Sequence, residues 1–391
     1  MTKEKNNFLK INDEIRDLDI GDIFNNLFFY KYHSRYLKKL QTTNVDKEDP
    51  HYLSTYSSFV GEVYENVIYE LLLKYAISND EITKFILKGP HQNHYDNVKN
   101  GLMMDLNSQI VYKAGYKDVT EFDALFFTKD SVCFVESTIV KTTTSLRKRL
   151  KKKKALLEVL FPKMEVKALI ILTKGAMGVN VFPKYCKVWV TKPLEDDELL
   201  NTLIYKNVNH DKKFITYRDK KLYHAKDIKP FVFKYFDTLA WILRNSRKNK
   251  AKVIDLNFLL TDKLSKYFEI YSKLYIGYIN VDIFIEILQY FNISDISEDI
   301  PIEKIYNDQV VLTIEKIKNQ FFIVFYMKII DDKLKRLDIN IEEKKLLISN
   351  KDPKGFTSAE VKYMKYLFTK SYFLTIENVK QIYKEIEANS I

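Results

Sequence analysis

Glu121-Phe122-Asp123-Ala124-Leu125-Phe126-Phe127, followed after a short break by Val132-Cys133-Phe134-Val135-Glu136-Ser137-Thr138, is the stretch from which the fold is read. Both segments are rich in β-branched and aromatic residues, and Thr128-Lys129-Asp130-Ser131 between them predicts a hairpin turn. An acid interrupts each apolar run, Asp123 in the first and Glu136 in the second. A carboxylate in a half-buried strand costs several kcal/mol unless it is paired or holds a cation. Two of them on neighbouring antiparallel strands repel each other, and a divalent metal relieves the repulsion. The alternative is that each acid is ion-paired to a lysine at a strand end.

Outward from the hairpin, an α/β order emerges. Upstream, Val60, Val63, Tyr64, Val67, Ile68, Leu71, Leu72 and Tyr75 recur at helical spacing and predict a helix over Ser57 to Ala76. That helix carries Glu62, Glu65 and Glu70; Glu62 and Glu70 are expected to face solvent, and Glu65 flanks the packed face. A strand over Ile82 to Leu87 leads to a polar loop whose His91 and His94 are expected to contact substrate or simply be solvated rather than to bind zinc, no third ligand following at fixed spacing. A short strand over Gln109 to Tyr112 precedes the hairpin.

Downstream, a helix is expected over Ser145 to Phe161, capped by Thr144 or Ser145. It packs through Leu146, Leu150, Leu157 and Leu160. Its other faces carry Arg147, Lys148, Arg149, Lys151, Lys152, Lys153 and Lys154 with no intervening acid. Placed directly after an acidic strand pair, this run predicts a phosphate-contacting surface, for which Arg147, Lys148, Lys151, Lys152 and Lys154 are the candidates. Val166 to Thr173 is nearly continuous in apolar residues, as in a strand buried on both faces, and Val188 to Thr191 is another.

The chain is long enough for two domains, with 391 residues, 46% hydrophobic and 14% aromatic. The expected division is a helical extension over 1–50, an α/β domain over 51–195 with helices flanking a mixed sheet, and an α+β domain over 196–391. In the last, helices are expected over Ile228 to Arg247, Val281 to Phe291, Ser358 to Ser371 and Ile376 to Ala388. Strands are expected over Lys212 to Asp219 and Phe321 to Met327. No motif there carries chemistry. A net charge of +11 fits an anionic partner, nucleic acid first and membrane surface second, and equally a solvated lysine-rich surface. Two cysteines, Cys133 and Cys186, exclude a disulfide scaffold and a multi-cysteine zinc site. The start has no apolar signal core and no stretch reaches 18 uncharged apolar residues, so a cytoplasmic protein without membrane contact is expected.

The order of elements from 57 to 173 resembles the PD-(D/E)XK nuclease superfamily. Gly61-Glu62-Val63-Tyr64-Glu65 matches that family's Gly-x-x-aromatic-Glu helix, Asp123 its first strand acid and Glu136 its second. Glu121-Phe122-Asp123 and the run from Glu136 to Leu172 look most like the nuclease domains of CRISPR-associated effectors. The resemblance covers about a third of the chain and implies a restriction-endonuclease-like fold. It also implies Mg²⁺ or Mn²⁺ held by Glu65, Asp123 and Glu136, and hydrolysis of nucleic acid, DNA ahead of RNA by family weight alone. A second copy of the chain is a candidate partner. One position departs: Thr138 stands where Glu-x-Lys requires lysine. Lys141 is the chosen replacement beside Asp123 and Glu136 as a catalytic group, with Arg147 and Lys151 also in reach. The alternative is a protein that binds nucleic acid without cutting it.

Overall fold

A computed structural model describes residues 18, 20–88, 98–105, 109–115, 117–139, 142–179, 182–205, 219–233, 262–271, 273–296, 309–317, 320–328, 334–349 and 373–388. These fall into two compact units, Met1–Phe233 and Lys234–Ile391. The described part of the N-terminal extension is a 3-10 helix, Gly21–Phe29, and a helix α1, Arg35–Thr42. The next helix, α2, spans Pro50–Ser78. It starts where Asp49 accepts from the N–H groups of His51 (2.7 Å) and Tyr52 (3.3 Å), with Pro50 in the first turn, where its missing N–H costs nothing. It ends where Lys221 Nζ donates to the carbonyls of Ile77 (3.2 Å) and Asn79 (2.9 Å), satisfying acceptors the last turn leaves open.

The central sheet has strand order β1-β5-β6-β7-β8, from β1 (Lys84–Leu87), β5 (Ala124–Phe127), β6 (Ser131–Thr138), β7 (Glu165–Thr173) and β8 (Cys186–Thr191). β1, β5 and β6 pair antiparallel; β6, β7 and β8 run parallel, with helix α3 (Thr144–Leu160) as the crossover between β6 and β7. This is a mixed α/β sheet. Alternation along β6 sorts its side chains. Cys133 and Val135 join Val63, Val67 and Leu72 of α2 in one apolar cluster, with Leu169, Ile171 and Trp189 from β7 and β8. Phe134 and Glu136 therefore face the other side, where Phe134 meets Phe122 edge to face and α3 lies. Each fully buried aliphatic side chain in such a cluster contributes about 1.5–3 kcal/mol.

A second, three-stranded antiparallel sheet joins β2 (Asn100–Met104), β3 (Ile110–Ala114) and β4 (Lys117–Phe122). This corrects the expectation of one strand through Glu121–Phe127. The run breaks at Asp123, which forms a bend between β4 in the small sheet and β5 in the large one. Continued backwards, the register Ala124↔Val135 would set Phe122 opposite Ser137. Instead the Asp123 side chain takes the Ser137 N–H at 2.8 Å, an acid substituting for a ladder carbonyl, and the chain turns away.

Four further readings change. Glu70, expected in solvent, is only 1% exposed and accepts from Asn26 Nδ2 and Tyr30 Oη, both at 2.9 Å. The N-cap of α3 is Thr143 rather than Thr144 or Ser145. Its hydroxyl bonds the carbonyls of Met177 (3.0 Å) and Gly178 (3.3 Å) instead of the helix. The boundary expected at 195 falls inside the first unit, because helix α4 (Asp197–Tyr205) buries Leu199, Leu200, Leu203 and Ile204 in the α2 cluster. Residues 228–233 are not helical. Pro230, which cannot continue the helical ladder, lies among them, and Phe231 N donates to Leu160 O (2.9 Å) and Phe233 N to Tyr112 Oη (2.7 Å). The remainder of that expected helix, the strand over 212–218, the helix over 358–371 and the His91–His94 loop lie outside the described residues.

The second unit contains a six-stranded sheet ordered β10-β14-β13-β12-β11-β9, from β9 (Lys273–Asn280), β10 (Asp295–Ile296), β11 (Gln309–Ile317), β12 (Gln320–Lys328), β13 (Leu334–Asn340) and β14 (Lys345–Ser349). Helices Asp262–Tyr271, Val281–Tyr290 and Ile376–Ala388 accompany it, and Phe284 packs edge to face on Phe325. Buried Glu315 is satisfied by Tyr326 Oη (2.5 Å) and Arg336 Nη1 (2.8 Å).

Candidate functional site

Three elements bring acids to one end of the central sheet. Glu65 comes from α2, Asp123 from the bend and Glu136 from the C-terminal end of β6. At Gly61 an added Cβ would meet Ile139 Cδ1, just past the end of β6, at 3.4 Å, an ordinary contact distance. Tyr64, next to Glu65, anchors the helix by a 2.9 Å bond between its hydroxyl and Thr191 Oγ1 of β8.

Glu65 and Asp123 converge on a cation that belongs to the chain. Lys88, the residue after β1, places its ammonium 2.9 Å from Glu65 Oε2 and 3.4 Å from Asp123 Oδ1. Tyr69, one turn along α2 from Glu65, donates its hydroxyl to the same two oxygens at 3.1 and 3.3 Å. The Lys88 ammonium also sits 4.8 Å from the centre of the Tyr69 ring. Burial pushes the Glu65 carboxyl up, and Lys88 offsets this only in part. Burial would push Asp123 up too, but Lys88, Lys153 and the Ser137 N–H outweigh it and hold that carboxyl below its ordinary range. Burial works against the charge on Lys88, and Asp123 and Glu65 more than compensate, holding it above the ordinary lysine range. Burial and the same two acids push Tyr69 well up, so it remains a donor.

Glu136 faces the opposite side of the sheet and meets α3. Its carboxylate, 4% exposed, is ion-paired to Lys153 through Oε2 and to Arg149 Nη2 through Oε1. Lys153 is itself buried, its ammonium 5.7 Å from the centre of the Phe122 ring. Arg149 is 53% exposed and presents its far edge to solvent. The alternative raised for both acids, pairing with a lysine at a strand end, is met by Asp123 with Lys88 after β1; Glu136 is paired too, but with Lys153 and Arg149 on helix α3. Among the described residues, no three His, Cys, Asp or Glu side chains surround a common cation position.

No family model, curated protein or solved structure matches this chain. What the site can do rests on its own chemistry.

The donor set fits a hard divalent cation as a two-carboxylate site. Glu65 Oε2 and Asp123 Oδ1 already converge on one positive charge, and carboxylate oxygens suit Mg²⁺ or Mn²⁺, which keep several waters. Nearby, the buried Ser137 hydroxyl has no hydrogen-bond partner among the described residues. It is a polar atom with capacity for a further ligand or water. Glu136 is committed to α3 and stands apart from this pair.

Of the phosphate-contact candidates, Arg147, Lys148 and Lys151 are exposed on α3. Lys152 is half-buried, its ammonium drawn down by burial, then by Lys148 and Lys153. Lys154 is ion-paired to Glu158 and lies 5.3 Å from the Tyr185 ring centre, so its charge is spent within the helix face. Lys141 lies outside the described residues. Lys153 and Lys88 were missed. Lys153 had a signal: three residues after Leu150 and four before Leu157, it occupies a position of the apolar stripe. Lys88 had none beyond following a strand. Cys133 and Cys186 are buried, and burial pushes the Cys186 thiol up to about 12, so neither is a nucleophile.

Proposed function

We propose that the first unit is a metal-dependent phosphodiesterase acting on nucleic acid, with DNA favoured, built on a restriction-endonuclease-like core. The observation that carries this reading is the convergence of Glu65 and Asp123 on one cation position, with Lys153 reaching the neighbouring Glu136 from α3. That lysine supplies the positive charge that Thr138 cannot. The core order, helix α2, antiparallel β1, β5 and β6, crossover helix α3 and parallel β7, supports the same reading.

Glu65 and Asp123 would hold Mg²⁺ or Mn²⁺, which supplies a bound water of lowered pKa and offsets charge growing on the phosphoryl oxygens. Ser137 fixes Asp123 by taking Oδ2 through its N–H and leaving Oδ1 toward Glu65. Glu136 holds Lys153 in place by their ion pair, close enough for the lysine to act on Asp123 electrostatically. Arg149 extends from Glu136 into solvent, where its remaining N–H donors can meet a phosphate. Arg147, Lys148 and Lys151 neutralise phosphates farther along the strand.

A second reading has its own observation. All three acids are already neutralised by lysine or arginine, as in a site that binds phosphates and does not cut. Supercoiled plasmid, single-stranded DNA and single-stranded RNA incubated with Mg²⁺ or Mn²⁺ separate the two. Cleavage by wild type that is lost in both Asp123→Ala and Glu65→Ala supports hydrolysis here. Cleavage surviving both substitutions rejects this site, and salt-sensitive binding with no cleavage favours the second reading.

A further inference from the structure

We propose that Lys88 is a tethered counter-ion that a divalent cation must displace from Glu65 and Asp123, so that it sets the metal concentration at which the site loads. The inference rests on the cation-binding half of the function proposed above and goes beyond it, because it concerns the form of the site before metal enters.

Lys88 is anchored at both ends. Its main-chain N–H donates to the Asp123 carbonyl at 3.2 Å, continuing the β1–β5 ladder one step past Leu87. Its side chain is 15% exposed and ends between the two carboxylates. Without it, Glu65 Oε2 and Asp123 Oδ1 would face each other as like charges with the Tyr69 hydroxyl as their shared donor. The ammonium holds those oxygens at hydrogen-bonding distances, 2.9 and 3.4 Å. Mg²⁺ would take the same oxygens at about 2.0–2.1 Å, so ammonium and metal cannot share the position. Lys153, the other cation acting on Asp123, is held on Glu136 and does not compete for Glu65. When metal enters, the flexible lysine stem turns its charge outward while the backbone bond keeps its Cα in the sheet.

The test is Mn²⁺ binding by the full chain, followed by the electron paramagnetic resonance signal of free Mn²⁺ and by calorimetry. Wild type, Lys88→Gln, Lys88→Met and Lys88→Arg are compared, with folding checked by circular dichroism. Removing the competing charge should tighten Mn²⁺ binding at least about tenfold in Lys88→Gln and in Lys88→Met, whose stem still covers Tyr69. Lys88→Arg keeps the charge and should bind no tighter than wild type. Asp123→Asn added to Lys88→Gln should abolish the gain.

Equal or weaker binding in every folded neutral variant overturns the proposal, as does a gain that survives Asp123→Asn. Cleavage assayed in parallel keeps the two readings apart. Wild-type cleavage without tighter binding in the neutral variants sinks the counter-ion and spares the phosphodiesterase. Tighter binding with no cleavage does the reverse, and no Mn²⁺ binding in any variant rejects both.

Discussion

The main-chain N–H of Ser137 donates to Asp123 Oδ2 at 2.8 Å. The residue after one acid thereby fixes the carboxylate of the other. Asp123 is in this way oriented by the backbone rather than by a side chain that could rotate away.

The Asp123 charge should show in acid stability. Its folded carboxyl titrates below the unfolded value of about 3.9, so ionised Asp123 stabilises the fold above that pH. The stabilisation is lost as pH falls through the folded value. Asp123→Asn keeps an acceptor for Ser137 and removes the titration. Urea midpoints measured from about pH 6 down to pH 3 should fall less steeply in this variant than in wild type. An unchanged slope contradicts the assignment.

Glu65 carries the opposite sign. Its raised carboxyl means that ionisation opposes folding once pH rises through the folded value. Glu65→Gln should therefore match or exceed wild-type stability at neutral pH while losing divalent-cation binding. A loss of more than about 1 kcal/mol in denaturant unfolding at pH 7 would show that the Lys88 pairing outweighs burial there.

Lys153→Met leaves the Glu136 carboxylate buried, with only the part-exposed Arg149 to meet it. Breaking a buried pair from one side costs about 3–5 kcal/mol, whereas replacing both partners with apolar groups is close to neutral. The double variant Lys153→Met/Glu136→Leu should recover most of the stability and none of the cleavage. Recovery of cleavage in the double variant would remove Lys153 from the chemistry.

The helices and strands around the site are legible in the sequence because apolar periodicity is a property of whole segments. The Val166–Thr173 run and the α2 stripe need no partner to be recognised. The pairing of charges is different. In Arg147–Lys154 the sequence shows a cationic run broken only by Leu150, and only helical phase separates inward-facing Lys153 from outward-facing Lys151. Glu70 poses the same problem on α2, being three residues past Val67 on the packed stripe. An acid or lysine at an apolar phase position signals a buried pair. The break at Asp123 was hidden because the residues on both sides are equally strand-forming, and the choice between two sheets is made by long-range hydrogen bonds.

Glu70 fastens the 3-10 helix to α2 through Asn26 and Tyr30. Glu70→Ala should cost about 1–3 kcal/mol, since it removes the acceptor of the Tyr30 hydroxyl and of the Asn26 amide. Amide hydrogen exchange should speed up over 21–30 before it changes in β5 or β6. Uniform loss of protection would place Glu70 in the global core instead.

Replacing Arg147, Lys148 and Lys151 together by Gln should leave stability within about 0.5 kcal/mol, because all three are exposed. If they neutralise phosphates, the slope of log affinity against log salt for duplex DNA should shrink by about 2–3. An unchanged slope would move the nucleic-acid surface elsewhere.

Asp123 stands where the chain leaves one sheet and enters another. One peptide thus serves as the last link of the β2–β4 meander and the first of the large sheet. The Asp123 carboxylate is tied to the Ser137 N–H and its carbonyl to the Lys88 N–H, both on the large-sheet side, so the acid is held there and not by the meander. The acid pair thus belongs to the large sheet, and the meander joins it only through the Asp123 bend.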